Sequence, residues 1–205
     1  MLVLSQLVDD VIAVLSNGND QDNLNLESKH DVIQITQNNQ VIGFNFINLK
    51  LTDQLGLINQ TTEVINKLND LLKNANFDYR LEIDNSPKFV VAHVKKMQQH
   101  PDSDHLKIVE LDLGNQVTTT VVSGSPNMRE NINVVAVRPG AMMPSGQIIF
   151  AGQLRGIDSD GMIASARELK IKNAPDKPGA LILPDDWNQS IGDQFNFKDG
   201  QNIYG

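Results

Sequence analysis

The feature that most constrains this chain is a series of short β-type runs after Pro87, separated by glycine and proline. Phe89–Met97 places Phe89, Val91, Val94 and Met97 in near alternation. Leu106–Leu113 repeats the pattern through Leu106, Ile108, Val109, Leu111 and Leu113. Gly114-Asn115 then turns the chain into Val117–Val122, and Asn133–Val137 is stopped by Arg138-Pro139-Gly140. Ile148–Phe150 is a candidate fifth run, with Ala180–Leu183 and Gln194–Phe197 as late short strands. Alternation marks strands with one face in a core, and glycine and proline mark the reversals between them.

So many short strands over residues 87–205 predict a closed or sandwiched antiparallel sheet. The smallest architecture that fits is a five-stranded Greek-key barrel of the oligonucleotide-binding (OB) type, which hides most sheet edges. Ile83–Lys88, with Pro87, forms a polar boundary. Before it, residues 2–15 read as a strand followed by an amphipathic turn, and Ser16–Asn25 as a loop. Asp31–Thr36 and Gln40–Ile47 read as a hairpin, with asparagine tolerating positive φ between them. Thr61–Leu72 has helical spacing at Val64, Ile65, Leu68, Leu71 and Leu72. Thr61 or Thr62 is its cap, with Asp53 and Glu63 as nearby acids. The expectation is an α+β domain over 1–86, then an all-β OB barrel over 87–205.

Charge divides at the same place. Residues 1–86 carry 12 Asp and Glu against 5 Lys and Arg. Residues 87–205 carry 13 against 12. The first part is acidic and suits a basic protein partner. The second is near neutral, so contact with phosphate there needs a local patch of cations. The chain has no cysteine, which excludes disulfide scaffolds and thiolate metal sites and fits a reducing compartment. Its first residues have no basic stretch before the apolar run, unlike a secretory signal. No apolar run approaches the roughly 20 residues of a membrane helix. These features predict a soluble, cytoplasmic chain with no membrane association.

Candidate chemistry is sparse. His30, between Lys29 and Asp31, lacks an orienting partner and reads as an exposed loop histidine. His100-Pro101-Asp102-Ser103-Asp104-His105 could suggest a metal, but Pro-Asp-Ser-Asp is turn chemistry, and no metal ligand set is assigned. Asp158-Ser159-Asp160-Gly161 resembles the start of a calcium loop; the position six beyond Gly161 is Arg167, so a tight turn feeding Met162 is expected instead. No Gly-x-Ser-x-Gly elbow and no phosphate-binding glycine loop occurs, so neither catalysis nor a cofactor is predicted. What remains is a group of small polar residues, methionines and arginines where strands break. Gly124 admits close backbone approach, and Arg129, Arg138, Arg155 and Arg167 are forked cations suited to phosphates and base edges. Phe89 and Phe150 read as core.

Three segments in order carry a family resemblance. Phe89-Val-Val-Ala-His-Val through His100-Pro-Asp-Ser-Asp-His-Leu-Lys-Ile, then Val122-Ser-Gly-Ser-Pro-Asn-Met-Arg, then Leu154-Arg-Gly-Ile-Asp-Ser-Asp-Gly-Met-Ile-Ala-Ser-Ala-Arg-Glu-Leu resemble the tRNA-binding domain of several synthetase-associated proteins. These include the barrel of the phenylalanyl-tRNA synthetase β subunit, the domain appended to some methionyl-tRNA synthetases and a stand-alone tRNA-binding protein. An acidic domain ahead of the barrel resembles the bacterial YtpR family in particular, by size and position. Ser123 and Ala164 stand where that family commonly has cysteine.

The resemblance implies a non-catalytic OB surface that recognises tRNA or another structured RNA by shape and backbone. By motif match its RNA-facing candidates are Ser123, Asn127, Arg129, Arg155, Ser159, Met162, Ser165, Arg167 and Glu168. Lys95 and Lys96 on the first strand could add phosphate contact. The resemblance also implies pairing into a homodimer. The alternative is a protein-interaction module docking on a synthetase or another translation-linked complex, with weak intrinsic RNA binding.

Overall fold

Ser86 and Pro87 divide the chain into two units, Met1–Ser86 and Pro87–Gly205, in a computed structural model that describes residues 1–16, 23–187 and 189–205. The first unit is a six-stranded antiparallel sheet carrying one helix. Its strands are β1 (Val3–Gln6), β2 (Val11–Val14), β3 (Leu24–Lys29), β4 (Val32–Gln37), β5 (Gln40–Phe46) and β6 (Gly56–Leu57), in the order β3-β4-β5-β2-β1-β6. The helix, α1 (Thr62–Asn74), begins where the Thr61 hydroxyl accepts the Val64 N–H at 3.2 Å. Ile65, Leu68 and Leu72 form its buried stripe against Leu4, Val11, Phe44 and Phe46. Glu63 in the first turn and Lys73 in the last complement the helix dipole. Asp53 instead pairs with Lys50 at 2.7 Å. The β4–β5 turn has Asn38 and Asn39 at φ +49° and +63°, the left-handed pair that a two-residue hairpin needs.

Two readings of this unit are corrected. Residues 2–15 hold two strands, joined where Leu7 N–H donates to Asp10 O at 2.8 Å. The buried Gln6 amide stabilises the reversal: Nε2 donates to the carbonyls of Leu7, Asp10 and Leu49, and Oε1 accepts from Leu51 N at 2.8 Å. The expected loop over 16–25 stops short of Leu24 and Asn25, which belong to β3; its residues 17–22 lie outside the described residues. β3 escaped notice because it is an edge strand with almost no buried face, hence no apolar period to read. His30 is exposed at φ +52° in the turn that follows it.

The second unit contains β7 (Phe89–Gln99), β8 (Lys107–Asp112), β9 (Thr118–Ser123), β10 (Asn133–Val137), β11 (Ala151–Leu154), β12 (Ile157–Asp160), β13 (Met162–Ile163) and a short helix α2 (Phe197–Gly200). Five strands pair antiparallel in the order β13-β10-β7-β8-β9. β9 also runs beside β12 and β13, so the sheet nearly closes into a barrel with OB connectivity. Val90, Ala92, Val94, Val109, Leu111, Val121 and Val134 fill its interior. Phe89, Val91, Val135 and Val137 point outward and are equally buried, against Leu169, Ile171, Leu181 and Phe195 from the C-terminal segment. β7 and β10 are therefore apolar on both faces, which explains Phe-Val-Val-Ala and Val-Val-Ala-Val as unbroken runs.

The expected fifth strand at Ile148–Phe150 is not formed. Ile148 makes a single bridge to Met142, Phe150 is half-buried outside both cores, and β13 is the fifth strand. The two late runs contribute isolated bridges, Val134 to Ile182 and Val90 to Gln194, and Phe197 opens α2. No helix among the described residues is long and apolar enough to cross a membrane.

Candidate nucleic-acid interface

Two loops and a turn meet at one mouth of the barrel. The end of β9 and the loop after it, Val122 to Pro126, form one wall of an open cleft of about 660 Å³. The opposite wall is Met162, Ile163, Ser165, Arg167 and Glu168, and Pro178-Gly179 closes a third side. Of the sequence candidates, Ser123, Met162, Ser165, Arg167 and Glu168 thus share one cleft. Lys95, Asn127, Arg129, Arg155 and Ser159 do not line it. Pro178-Gly179 was not singled out from the sequence, although Lys-Pro-Gly is a turn signal.

The polar candidates are tied into the scaffold in different ways. Ser165 and Glu168 form a reciprocal capping box. Glu168 Oε2 accepts from Ser165 N–H at 2.7 Å and from its hydroxyl at 2.6 Å, and Glu168 N–H donates back to Ser165 Oγ at 3.2 Å. Ser-x-x-Glu is the sequence signature of that device. Asn127 clamps Ala180 with both ends of its amide: Oδ1 accepts from Ala180 N at 2.8 Å and Nδ2 donates to Ala180 O at 2.9 Å. Gly179 packs so closely on this amide that a Cβ there would lie 2.9 Å from Asn127 Oδ1. Ser159 joins strands. Its Oγ accepts from Val122 N–H at 3.0 Å and donates to Gly161 O at 3.1 Å. Ser123 Oγ accepts from Ser125 N–H at 3.3 Å.

The cations are equally distinct. Arg167 pairs with Asp176 at 3.0 Å. Lys95 is the extra residue of a β-bulge in β7 and faces Glu110 at 3.5 Å. Arg129 is exposed and has no hydrogen-bond or ion-pair partner among the described residues. Arg155, at φ +50°, forms with Gly156 the tight turn between β11 and β12, and its Nη1 donates to Asp102 O at 2.6 Å. The tight turn lies there and not at Asp158–Gly161, where Asp158, Ser159 and Asp160 belong to β12. Gly161 then changes direction at φ +105°, where a Cβ would meet Val137 O at 2.1 Å.

The histidine loop supports the same corner. His100 is buried; its Nδ1 accepts from Asp102 N–H at 3.1 Å, so Nε2 carries the proton and donates to Leu154 O at 3.2 Å. His100 and Arg155 together fix the β7–β8 loop to the β11–β12 turn.

Comparison with known proteins accounts for both units. Residues 89–190 match the family "Putative tRNA binding domain", and residues 19–84 match "Domain of unknown function (DUF4479)". The "Phenylalanine--tRNA ligase beta subunit" of Dechloromonas aromatica (strain RCB) is 42% identical over 97 residues, which are 47% of this chain and 12% of that subunit. The MetRS related protein from Pyrococcus horikoshii superposes on 53% of this chain and 88% of its own at 17% identity, with a TM-score of 0.38. The "Putative tRNA-binding protein YtpR" of Bacillus subtilis (strain 168) is 34% identical over 195 residues, spanning 93% of this chain and 96% of that protein. A match of that extent, running through the acidic unit as well as the barrel, makes the chain a member of the YtpR family.

Proposed function

We propose that the barrel is a non-catalytic binding module for tRNA or a similarly structured RNA, working in the cytoplasm. The observation that carries this reading is the convergence of two separate sequence motifs, Val122–Arg129 and Leu154–Glu168, on one cleft at the barrel mouth. OB barrels bind nucleic acid at loops of this kind, combining cations for the backbone with close contacts to exposed bases. In this reading the roles follow from which residues line the cleft and which do not. Ser123, Met162, Ser165, Arg167 and Glu168 face the RNA, Arg129 and Arg155 meet phosphates at the rim, and Lys95 is a peripheral cation. Asn127 and Ser159 hold the walls. With 12 cations against 13 acids in this unit, binding is modest in strength and depends on where the arginines gather.

The test is a fluorescence-anisotropy titration of the full chain with unmodified tRNA across a salt series. Affinity falls as salt rises, because bound cations displace counterions from phosphates. Absence of binding at low salt, or an affinity indifferent to salt, overturns the reading.

A second reading has its own support in the acidity of residues 1–86, 12 acids against 5 bases. This unit docks on a basic protein surface of a synthetase or other translation-linked complex, and the whole chain acts as a homodimer. Light scattering reports the oligomer. A pull-down in which the full chain and the chain lacking 1–86 retain the same proteins removes this role from the acidic unit.

A further inference from the structure

Resting on the RNA-binding reading of the barrel, we infer that the cleft between Ser123–Pro126 and Met162–Glu168 takes one unpaired nucleobase rather than a phosphate, and that guanine is the base it fits best.

Charge argues first. Among the described residues, Arg167 and Glu168 are the two charged side chains lining the cleft, and Arg167 is already paired with the exposed Asp176 at 3.0 Å. Counting Asp176 and its neighbour Lys177, the local formal charge is zero, so the cleft has no excess of cations to draw a phosphate in. A phosphate entering here meets the Glu168 carboxylate and a guanidinium whose charge the exposed Asp176 offsets in part, whereas Arg129 at the surface is free to take the backbone. A neutral base suffers no such repulsion.

Shape argues second. At about 660 Å³ the cleft lies within the range of small-ligand sites. Among the described residues it has no aromatic lining on which successive bases could stack, so it does not track a strand. It offers instead the apolar edges of Met162, Pro126 and Pro178 and the flat guanidinium of Arg167, which suit the two faces of a single ring.

The hydrogen-bonding groups choose the base. Glu168 Oε2 is bound by Ser165 through two hydrogen bonds, which fixes the carboxylate in place. Oε1 accepts no hydrogen bond among the described residues. With Oε2 already accepting two hydrogen bonds, the pre-positioned Oε1 with its two lone pairs is what a base meets, and it selects an edge whose adjacent N–H groups can both donate to it. Guanine presents N1–H and the N2 amino group side by side. Adenine and cytosine present one amino group next to an acceptor nitrogen, and uracil places its single N–H between two carbonyl oxygens. The nearby Ser125 hydroxyl makes no hydrogen bond among the described residues and can serve the guanine O6 as donor.

The experiment uses the full chain and two fluorescent oligoribonucleotides, a uridine heptamer and the same heptamer with guanosine at its centre, alongside tRNA. The guanosine heptamer binds about tenfold or more tighter than the uridine heptamer, the discrimination expected of a good two-point base contact. Glu168→Gln still supports the capping box, yet it places an amide against the guanine donors, and the preference falls below about threefold. Gly124→Phe adds a bulky ring to a residue of the cleft wall, where a Cβ meets only Leu106 at 3.5 Å, and it abolishes the preference independently. Circular dichroism checks that each variant is folded. If wild type binds tRNA but treats the two heptamers alike, the base site is wrong while the RNA-binding barrel stands. If Glu168→Gln and Gly124→Phe both fold and both keep the preference, guanine is read elsewhere. If no RNA binds at all, both readings fail together.

Discussion

The Ser159 hydroxyl accepts a hydrogen bond from Val122 N–H at 3.0 Å and donates one to Gly161 O at 3.1 Å, so one side chain bridges β9 and the β12–β13 joint. β9 and β13 are the end strands of the five-stranded sheet. Where a ladder of backbone bonds would close a regular barrel, a side chain substitutes for part of it. It does so beside Val122, the first residue of the cleft wall. Closure of the barrel and the shape of the cleft therefore depend on the same atom.

Ser159→Ala should lower the stability of the second unit by about 1–3 kcal/mol, the cost of leaving a partly buried donor without its partner. Urea denaturation followed by a probe in that unit measures it. Ser159→Thr retains the hydroxyl and should recover part of the loss. An unchanged midpoint in Ser159→Ala would mean that water replaces the hydroxyl freely and that closure does not rest on it.

Asn127→Ala should expose both backbone groups of the buried Ala180 at once, since the amide holds its N–H at 2.8 Å and its C=O at 2.9 Å. A loss of about 2 kcal/mol or more is expected, concentrated in the third side of the cleft. Hydrogen exchange gives the local readout: the Ala180 amide should lose protection well before amides of β7 or β10 do.

What the sequence made legible depended on how many faces of an element are buried. β10 appears at Asn133–Val137, the residues expected, because it is apolar on both faces and is stopped by Arg138-Pro139-Gly140. α1 was readable from its stripe and its cap. β3 and β11 were not. Five of the six residues in β3 and all four in β11 are exposed, so neither carries a hydrophobic period. At the site, residue type was legible but partner was not. Nothing local distinguishes a serine that meets a ligand from Ser159, whose partner Val122 lies 37 positions away. Ser165 was the exception, since Ser-x-x-Glu states its own partner.

In the first unit, Thr61→Ala should cost about 1 kcal/mol by removing the acceptor for Val64 N–H, while Thr61→Ser should be close to neutral. Gln6→Ala should cost more, about 2 kcal/mol or above, because Gln6 is fully buried and serves five backbone groups of two loops. The order of the two effects is the test. A smaller effect for Gln6→Ala would show that the β1–β2 turn and the segment at Leu49–Thr52 hold together without it.

Gly161→Ala should be the most damaging single change in the barrel. The residue sits at φ +105°, and the new Cβ would fall 2.1 Å from Val137 O, a backbone atom that cannot rotate away. Strain of this kind costs about 3 kcal/mol or more, against a total stability of about 5–15 kcal/mol for a typical domain. Soluble yield and the thermal midpoint of the second unit check it; an alanine variant as stable as wild type would mean that β12 and β13 can shift without opening the barrel.

The two rim arginines should behave differently in a salt series with tRNA. Arg129 has no protein partner among the described residues, so replacing it removes a cation and little else. Its alanine variant should weaken binding at low salt and make the slope of log affinity on log salt shallower by about one unit, with stability unchanged within about 0.5 kcal/mol. Arg155 also donates to Asp102 O at 2.6 Å and helps fix the His100 loop to the β11–β12 turn. Arg155→Ala should therefore reduce the slope by a similar amount and lower the thermal midpoint as well. Arg155→Lys keeps the charge but lacks the fork that can reach Asp102 O while facing outward, so it should restore the slope more fully than the midpoint. Equal slopes for wild type and both alanine variants would place the phosphate path away from this rim.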